Sequence, residues 1–320
     1  GNVVIPLIPQ PLVQQTPLEG LLAPLKLAEI AGDLTGTIAL VRLAYRRWSS
    51  LLDPAARKPV ADAMARGALA AIVITTGPTG QALLLNTPAD KPLFDRPVAL
   101  LAPADSAKVV EAAQTGAQVR LTMLGTGGHR LASNLVARIQ RGPLPWLVVS
   151  TPRSGWTDCV GERGPGVAIW LALAAWAAAN RPNHNLLFVC NSGHEYENLG
   201  ASHLVAQVGP PPAETAFWLH LGANAATRDW HELPGRLLPL PSADPFRYLV
   251  TSPGIVPVAR QIFAGQPGIE MAYSSDEGAA GELSEVIKAG YPRLAGIFGA
   301  HRFHHAPGDD LQTIAAAPLS

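Results

Sequence analysis

The sequence predicts an α/β protein: a mostly parallel sheet with helices on both faces, joined to a smaller domain. Three observations predict it. Continuous apolar strands alternate with helical stretches along most of the chain, and such strands belong to parallel sheets that are covered on both sides. The chain has 320 residues, 48% of them hydrophobic and 15% charged, which is ample material for a core and excludes disorder as the main state. At about 150 residues per domain, it divides into two. The longest apolar run, Gly166 to Ala179, is shorter than the roughly 20 residues that a bilayer span needs, and it reads as a buried helix.

The elements follow in order. Residues 1–35 are Pro-rich and apolar at the start, then helix-like from Leu18 to Ile30. Thr37 to Val41 is a short strand. Asp53-Pro54 opens a helix to Arg66, with Asp at the N-cap and Pro at the first helical position. Strands are expected at Leu69–Thr75 and Pro97–Leu101, a helix at 104–115, and a half-buried strand at 117–123 that alternates Val119, Leu121 and Met123. Gly125-Thr126-Gly127-Gly128 marks a joint. Beyond it come strands at 134–139, 146–150, 185–190, 216–221 and 294–298. Helices are expected at 164–179, 195–208, 255–264 and 283–289.

Lys plus Arg number 24, as do Asp plus Glu. That balance argues against a nucleic-acid partner or an anionic membrane surface, both of which need surplus positive charge. The two cysteines, Cys159 and Cys190, mark neither a disulfide scaffold nor a cysteine zinc site, and they read as buried thiols.

Polar, titratable groups collect where the strands of the second half end, the place where open parallel sheets carry reactive loops. Thr151, Arg153, Asp158 and Glu162 follow one strand, His194-Glu195 another, His220 lies in a third, and His304-His305 through Asp309 follow the last. Histidines and carboxylates drawn from separate strand ends suit a metal site or an acid–base site. Each also has a plainer reading. His194-Glu195 is not a His-Glu-x-x-His zinc helix, because position 198 is Asn, and it can be a solvated helix start. His220 can be a satisfied core histidine, and Glu162-Arg163 on composition alone is a surface turn.

The order of these motifs resembles the zinc aminopeptidase superfamily that also contains glutaminyl cyclases (metallopeptidase family 28), with a protease-associated domain ahead of the catalytic half. Gly36 to Val41, the helix end at Ala63 to Ala68, and Pro97 to Leu101 resemble that first domain; Asn134-Leu135-Val136-Ala137 is similar to the strand that opens the second. The resemblance implies an N-terminal segment 1–35 packing on the catalytic domain, a β-rich protease-associated domain at 36–130, and an aminopeptidase-like α/β domain at 131–320. It also implies a small-molecule or peptide substrate and a secreted or periplasmic location.

Laid on residue by residue, the family's first zinc motif falls on Thr151-Pro152-Arg153, its bridging aspartate on Glu162, and its Glu-Glu pair on His194-Glu195. A later aspartate ligand falls on His220. A supporting acid behind the ligands falls on Glu282, and the closing His-Thr-Pro-x-Asp falls on His305 to Asp309. The resemblance thus implies at most one zinc ion, held by Glu162, Glu195 and His305 with His220, because Thr151 is a poor zinc donor and Arg153 brings a competing positive charge. His194 is expected as general base, Glu195 beside it, and Arg153 with Thr151 as substrate contacts. Two readings stay open: a one-metal hydrolase of a small amide, peptide or ester, and a metal-free site. The second is either an acid–base lyase, isomerase or cyclase, or a non-catalytic binding pseudoenzyme.

Overall fold

The computed structural model describes residues 3–47, 50–233 and 236–319. The chain forms two compact units, the stretch up to Arg130 together with His305–Gly308, and Leu131–His304 together with Asp309–Ser320.

The first unit is built on six strands: β1 (Ile8–Pro9), β2 (Leu21–Leu27), β3 (Ile38–Leu43), β4 (Ala70–Thr75), β5 (Val98–Leu101) and β6 (Gln118–Leu121). They lie in the order β1-β5-β4-β3-β2-β6. The inner four run parallel, and β1 and β6 close the edges antiparallel. Along β3, Ile38 and Leu40 enter the core shared with Val109 and Ala113 of helix α2 (Ala107–Thr115). Ala39 and Val41 enter the opposite core, with Val60, Ala63 and Met64 of α1 (Pro54–Ala65). Burial on both faces explains why the stretch 38–41 is apolar without interruption.

Asp53 caps α1 as expected: its carboxylate accepts from Ala55 N at 2.9 Å, and Pro54 follows it. Replacing Asp53 with Ala is expected to cost about 1 kcal/mol in chemical unfolding; an unchanged midpoint and slope would show the cap to be idle.

Residues 18–30 depart from the helix expected there. Leu21–Leu27 is a strand with Ala23, Leu25 and Leu27 buried in alternation. Leucine favours helices, but Pro24 removes a backbone donor, and the period-two burial against β3 decides the outcome. Within residues 1–35, Ile8–Pro9 and Leu21–Leu27 are β1 and β2 of this first sheet. Segment 305–308 is held here by Leu84 N donating to the His305 carbonyl (3.0 Å) and Gly308 N donating to Gln81 Oε1 (2.8 Å).

The second unit contains β7 (Leu135–Ile139), β8 (Trp146–Pro152), β9 (Asn185–Asn191), β10 (Thr215–Leu221), a hairpin of β11 (Arg228–Leu233) and β12 (Arg236–Ala243), then β13 (Arg247–Thr251), β14 (Tyr273–Ser274) and β15 (Leu294–Gly299). Seven of these form one sheet in the order β14-β13-β15-β10-β8-β9-β7. Its centre, β15-β10-β8-β9, is parallel, while β7 and β13 run antiparallel to their neighbours β9 and β15. Helix α3 (Val160–Asn180) covers one face through Trp170 and Ala177. Helices α4 (Leu199–Gln207) and α6 (Leu283–Lys288) cover the other through Leu204, Leu283 and Val286. Helix α5 (Val256–Ile262) packs Ala259 beside Leu249 of β13.

The run 166–179 is not a buried helix. It is the body of α3, whose outward side leaves Leu171 57% and Trp176 47% exposed. Among the described residues, no helix is long and apolar enough to cross a membrane. The hairpin, β13 and β14 have no counterpart in the sequence expectation. Arg228-Asp229-Trp230-His231-Glu232 carries four polar residues in five, so no apolar alternation announces it.

Candidate active site

The centre of the second sheet brings β8, β9 and β10 side by side, with Ser150 of β8 opposite His220 of β10, and Thr151 opposite Cys190 of β9. The register accounts for the first contact of the site. His220 Nδ1 lies 2.9 Å from Ser150 Oγ, which accepts from Trp218 Nε1 at 2.8 Å. A hydroxyl that accepts from the indole can donate to Nδ1, which places the imidazole proton on Nε2. Burial lowers the His220 pKa to about 4, against the pull of Glu282 and with help from His194 and Arg163; the ring is neutral at physiological pH.

Helix α3 delivers the next two groups. Its first turn carries Glu162 and Arg163, both buried. Asp309 fixes that turn: its two carboxylate oxygens accept from Gly161 N (2.7 Å) and Glu162 N (3.0 Å), and its carbonyl accepts from Val160 N (3.0 Å). A carboxylate at a helix N-terminus satisfies free amides and complements the helix dipole. Thr313 Oγ1 donates to the same carboxylate at 2.8 Å, and His301 Nε2 stands 3.3 Å from it. Two glycines let the helix in. A Cβ at Gly161 would sit 2.8 Å from Asp309 Oδ1, and one at Gly166 would sit 2.9 Å from Thr151 Oγ1 and 3.1 Å from the Leu221 carbonyl.

Arg163 then meets the carboxylates. Its Nη2 lies 2.7 Å from Glu162 Oε1 and 3.2 Å from Glu195 Oε1, and its Nε donates to the Ser154 carbonyl at 2.8 Å. The two carboxylates raise its pKa further, against the effect of burial. Glu195 is therefore in contact with a fixed positive charge.

A second carboxylate–imidazole group sits at the end of β9. Glu282 is buried, accepts from Asn191 Nδ2 at 2.8 Å, and has His194 Nδ1 3.7 Å from its Oε1. Burial alone would raise the Glu282 pKa; His194, His220 and the Asn191 hydrogen bond outweigh it and hold the acid below its ordinary value of 4.5. A Cβ at Gly281 would stand 3.1 Å from His194 Cε1, so the bare glycine leaves that ring its place.

Glu162, His304 and His305, all buried, each offer one donor atom, and these atoms lie within 4.8 Å of one another. His304 Nδ1 is 3.7 Å from Glu162 Oε1. Two imidazoles and a carboxylate form a donor set suited to a divalent metal such as zinc.

The remaining expected groups lie elsewhere. Thr151 is buried with its hydroxyl donating to the Leu221 carbonyl at 2.7 Å. Arg153 is exposed and donates to the Ser133 carbonyl at 2.5 Å; the cation that meets the carboxylates is Arg163. Cys159 and Cys190 are both buried free thiols, pushed by burial to about 12 and about 11. Sequence alone does not single out Arg163, since Glu162-Arg163 reads on composition as a surface turn, and it assigns no role to His304, Ser150 or Asn191. The signal for Arg163 was present: a cation directly after an acid, at the start of an otherwise apolar helix.

No protein-family model matches the chain, and no curated protein matches it either. Solved structures do. The zinc aminopeptidase BSAP of Bacillus subtilis superposes with a TM-score of 0.73 at 17% identity, over 98% of this chain and 75% of that one. The peptidase M28 precursor of Shewanella amazonensis gives 0.67 at 14%, over 100% and 75%. The aminopeptidase of Aneurinibacillus sp. strain AM-1 gives 0.60 at 15%, over 95% and 73%. At these identities the likeness is one of fold, and the fold is that of the zinc aminopeptidases which the sequence motifs resemble.

Proposed function

We propose that the chain is a divergent aminopeptidase-like hydrolase of a small amide, peptide or ester, working with at most one divalent ion. The observation that carries this reading is the buried Glu162–His304–His305 cluster, with donor atoms within 4.8 Å. Zinc held there would lower the pKa of a bound water toward neutrality. The protein's own part is proton handling and substrate placement. His194 faces Glu282 through Nδ1, so Nε2 is the atom left to take a proton. Arg153, outside those contacts and exposed just beyond β8, would meet a substrate carboxylate from the solvent side. A secreted or periplasmic location belongs to the same proposal.

A second reading, a metal-independent acid–base enzyme, is favoured by one observation: Arg163 already supplies positive charge to Glu162 and Glu195. Elemental analysis of the purified chain separates the two. The hydrolase reading expects one zinc per chain, lost in His304→Ala and His305→Ala, and chelator-sensitive turnover of aminoacyl anilides, esters or short peptides. His194→Ala is expected to lower kcat by about 10²–10⁴-fold. Turnover that survives chelation and an absence of metal would discard the first reading; kcat unchanged in His194→Ala would discard its role as base in either.

A further inference from the structure

We propose that the Arg163 guanidinium is a built-in cation for Glu162 and Glu195: it takes the position between them that an inorganic ion would need, withholds Glu195 from metal binding, and limits the site to the Glu162–His304–His305 cluster. The inference goes beyond the functional reading, since it concerns where an ion cannot sit, and it holds whether or not that cluster is loaded.

One nitrogen, Nη2, touches both carboxylates, at 2.7 and 3.2 Å. A divalent ion bound by the same two oxygens would have to stand where that nitrogen stands, at about 2.0–2.2 Å from each for zinc. The two acids are 1% and 4% exposed in their side chains. Two like charges so far from water demand a cation between them. Arginine meets the demand permanently, because its guanidinium does not deprotonate in proteins. The group is also fixed from the far side: Nε is bonded to the Ser154 carbonyl, on the loop after β8, and the Arg163 amide to the Cys159 carbonyl at 2.9 Å. A single charge leaves the pair one unit short of neutrality. The Glu162 carboxylate has His304 at 3.7 Å and rides on the first turn of α3, where amide dipoles favour negative charge.

Cobalt(II) titration of the full chain, followed by calorimetry and by the visible spectrum of the bound ion, tests this. Arg163→Met keeps the stem and removes the charge. It is expected to bind one more equivalent of cobalt than the parent, and the extra equivalent is expected to vanish in Arg163→Met/Glu195→Gln. Equal stoichiometry in parent and folded Arg163→Met overturns the proposal. If Arg163→Met folds only with cobalt, or fails to fold where the double variant folds, the compensating role stands; if both fail alike, it falls. In the parent background, Glu195→Gln is expected to leave cobalt affinity within about threefold, whereas a weakening of about tenfold or more makes Glu195 a ligand and overturns the proposal. A parent that binds no cobalt while Arg163→Met binds one removes the Glu162–His304–His305 metal reading and leaves this inference intact.

Discussion

Arg163→Met, unfolded by urea in metal-free buffer, is expected to lose about 3–5 kcal/mol of stability, the range found when one partner of a buried ion pair is removed. The loss does not measure the worth of the pair. It measures the cost of leaving Glu162 and Glu195 in the interior without the guanidinium between them. That distinction fixes the control. Arg163→Met/Glu195→Gln removes one stranded charge together with the cation, so it is expected to be more stable than Arg163→Met alone. The two substitutions are then strongly non-additive, as groups in direct contact usually are. A hydrophobic stem at position 163 still packs at the start of α3, so lost packing contributes little to either variant. If Arg163→Met unfolds at the parent's urea concentration, the guanidinium is not the counter-charge of these acids. If the two substitutions add without coupling, the contact with Glu195 carries no energy.

The central strands of the second sheet were legible because burial shows itself in composition. Asn185–Asn191 is buried along its whole length and contains Leu186-Leu187-Phe188-Val189; a strand covered on both faces has no need of polar residues. The same logic misled at α3. Its alanines and leucines read as interior, yet the helix turns only one side to the sheet, and alanine is as acceptable on a helix surface as beneath it. Leu21–Leu27 failed for the converse reason, since leucine carries a helical preference that pairing with β3 and β6 overrides.

For the site, the sequence shows which residues stand near strand ends but not which atoms meet. The motif order brought Glu162, Glu195, His220 and Glu282 to one region, and the fold places each on or next to the second sheet or its helices. The identity of the cation beside them could not be read in this way. Arg153 and Arg163 are ten positions apart and both follow β8. The left-handed turn at Cys159 (φ 43°) leads into the first turn of α3, which carries Arg163 to the two carboxylates. Spacing along the chain carries no information about that choice.

The neutral state of His220 leads to a pH dependence of stability that is also large. The ring is held at a pKa of about 4 by burial, against 6.5 in the open chain. Between those values the unfolded chain takes up a proton that the native protein refuses, so stability falls as pH is lowered through this window and is independent of this group above it and below it. At 1.36 kcal/mol per unit, the whole fall is about 3 kcal/mol. Glu282 acts over a different range. Its native pKa is depressed below 4.5, so its contribution is complete above that pH and is lost only as the pH drops below it. The two are separable by measuring urea unfolding at pH 7.5, 5.5 and 4.5 with chelator present. His220→Gln keeps a polar partner for Ser150 Oγ and cannot titrate. It is expected to be the less stable protein at pH 7.5, because the amide fills less of the space between β8 and β10. Its stability curve should nevertheless be flatter than the parent's on the acid side, the two drawing together by about 3 kcal/mol between pH 6.5 and 4. Parallel curves would mean that His220 accepts its proton as readily inside the protein as outside, and an imidazole bonded to Ser150 at the centre of the sheet would then have to be hydrated in the native state.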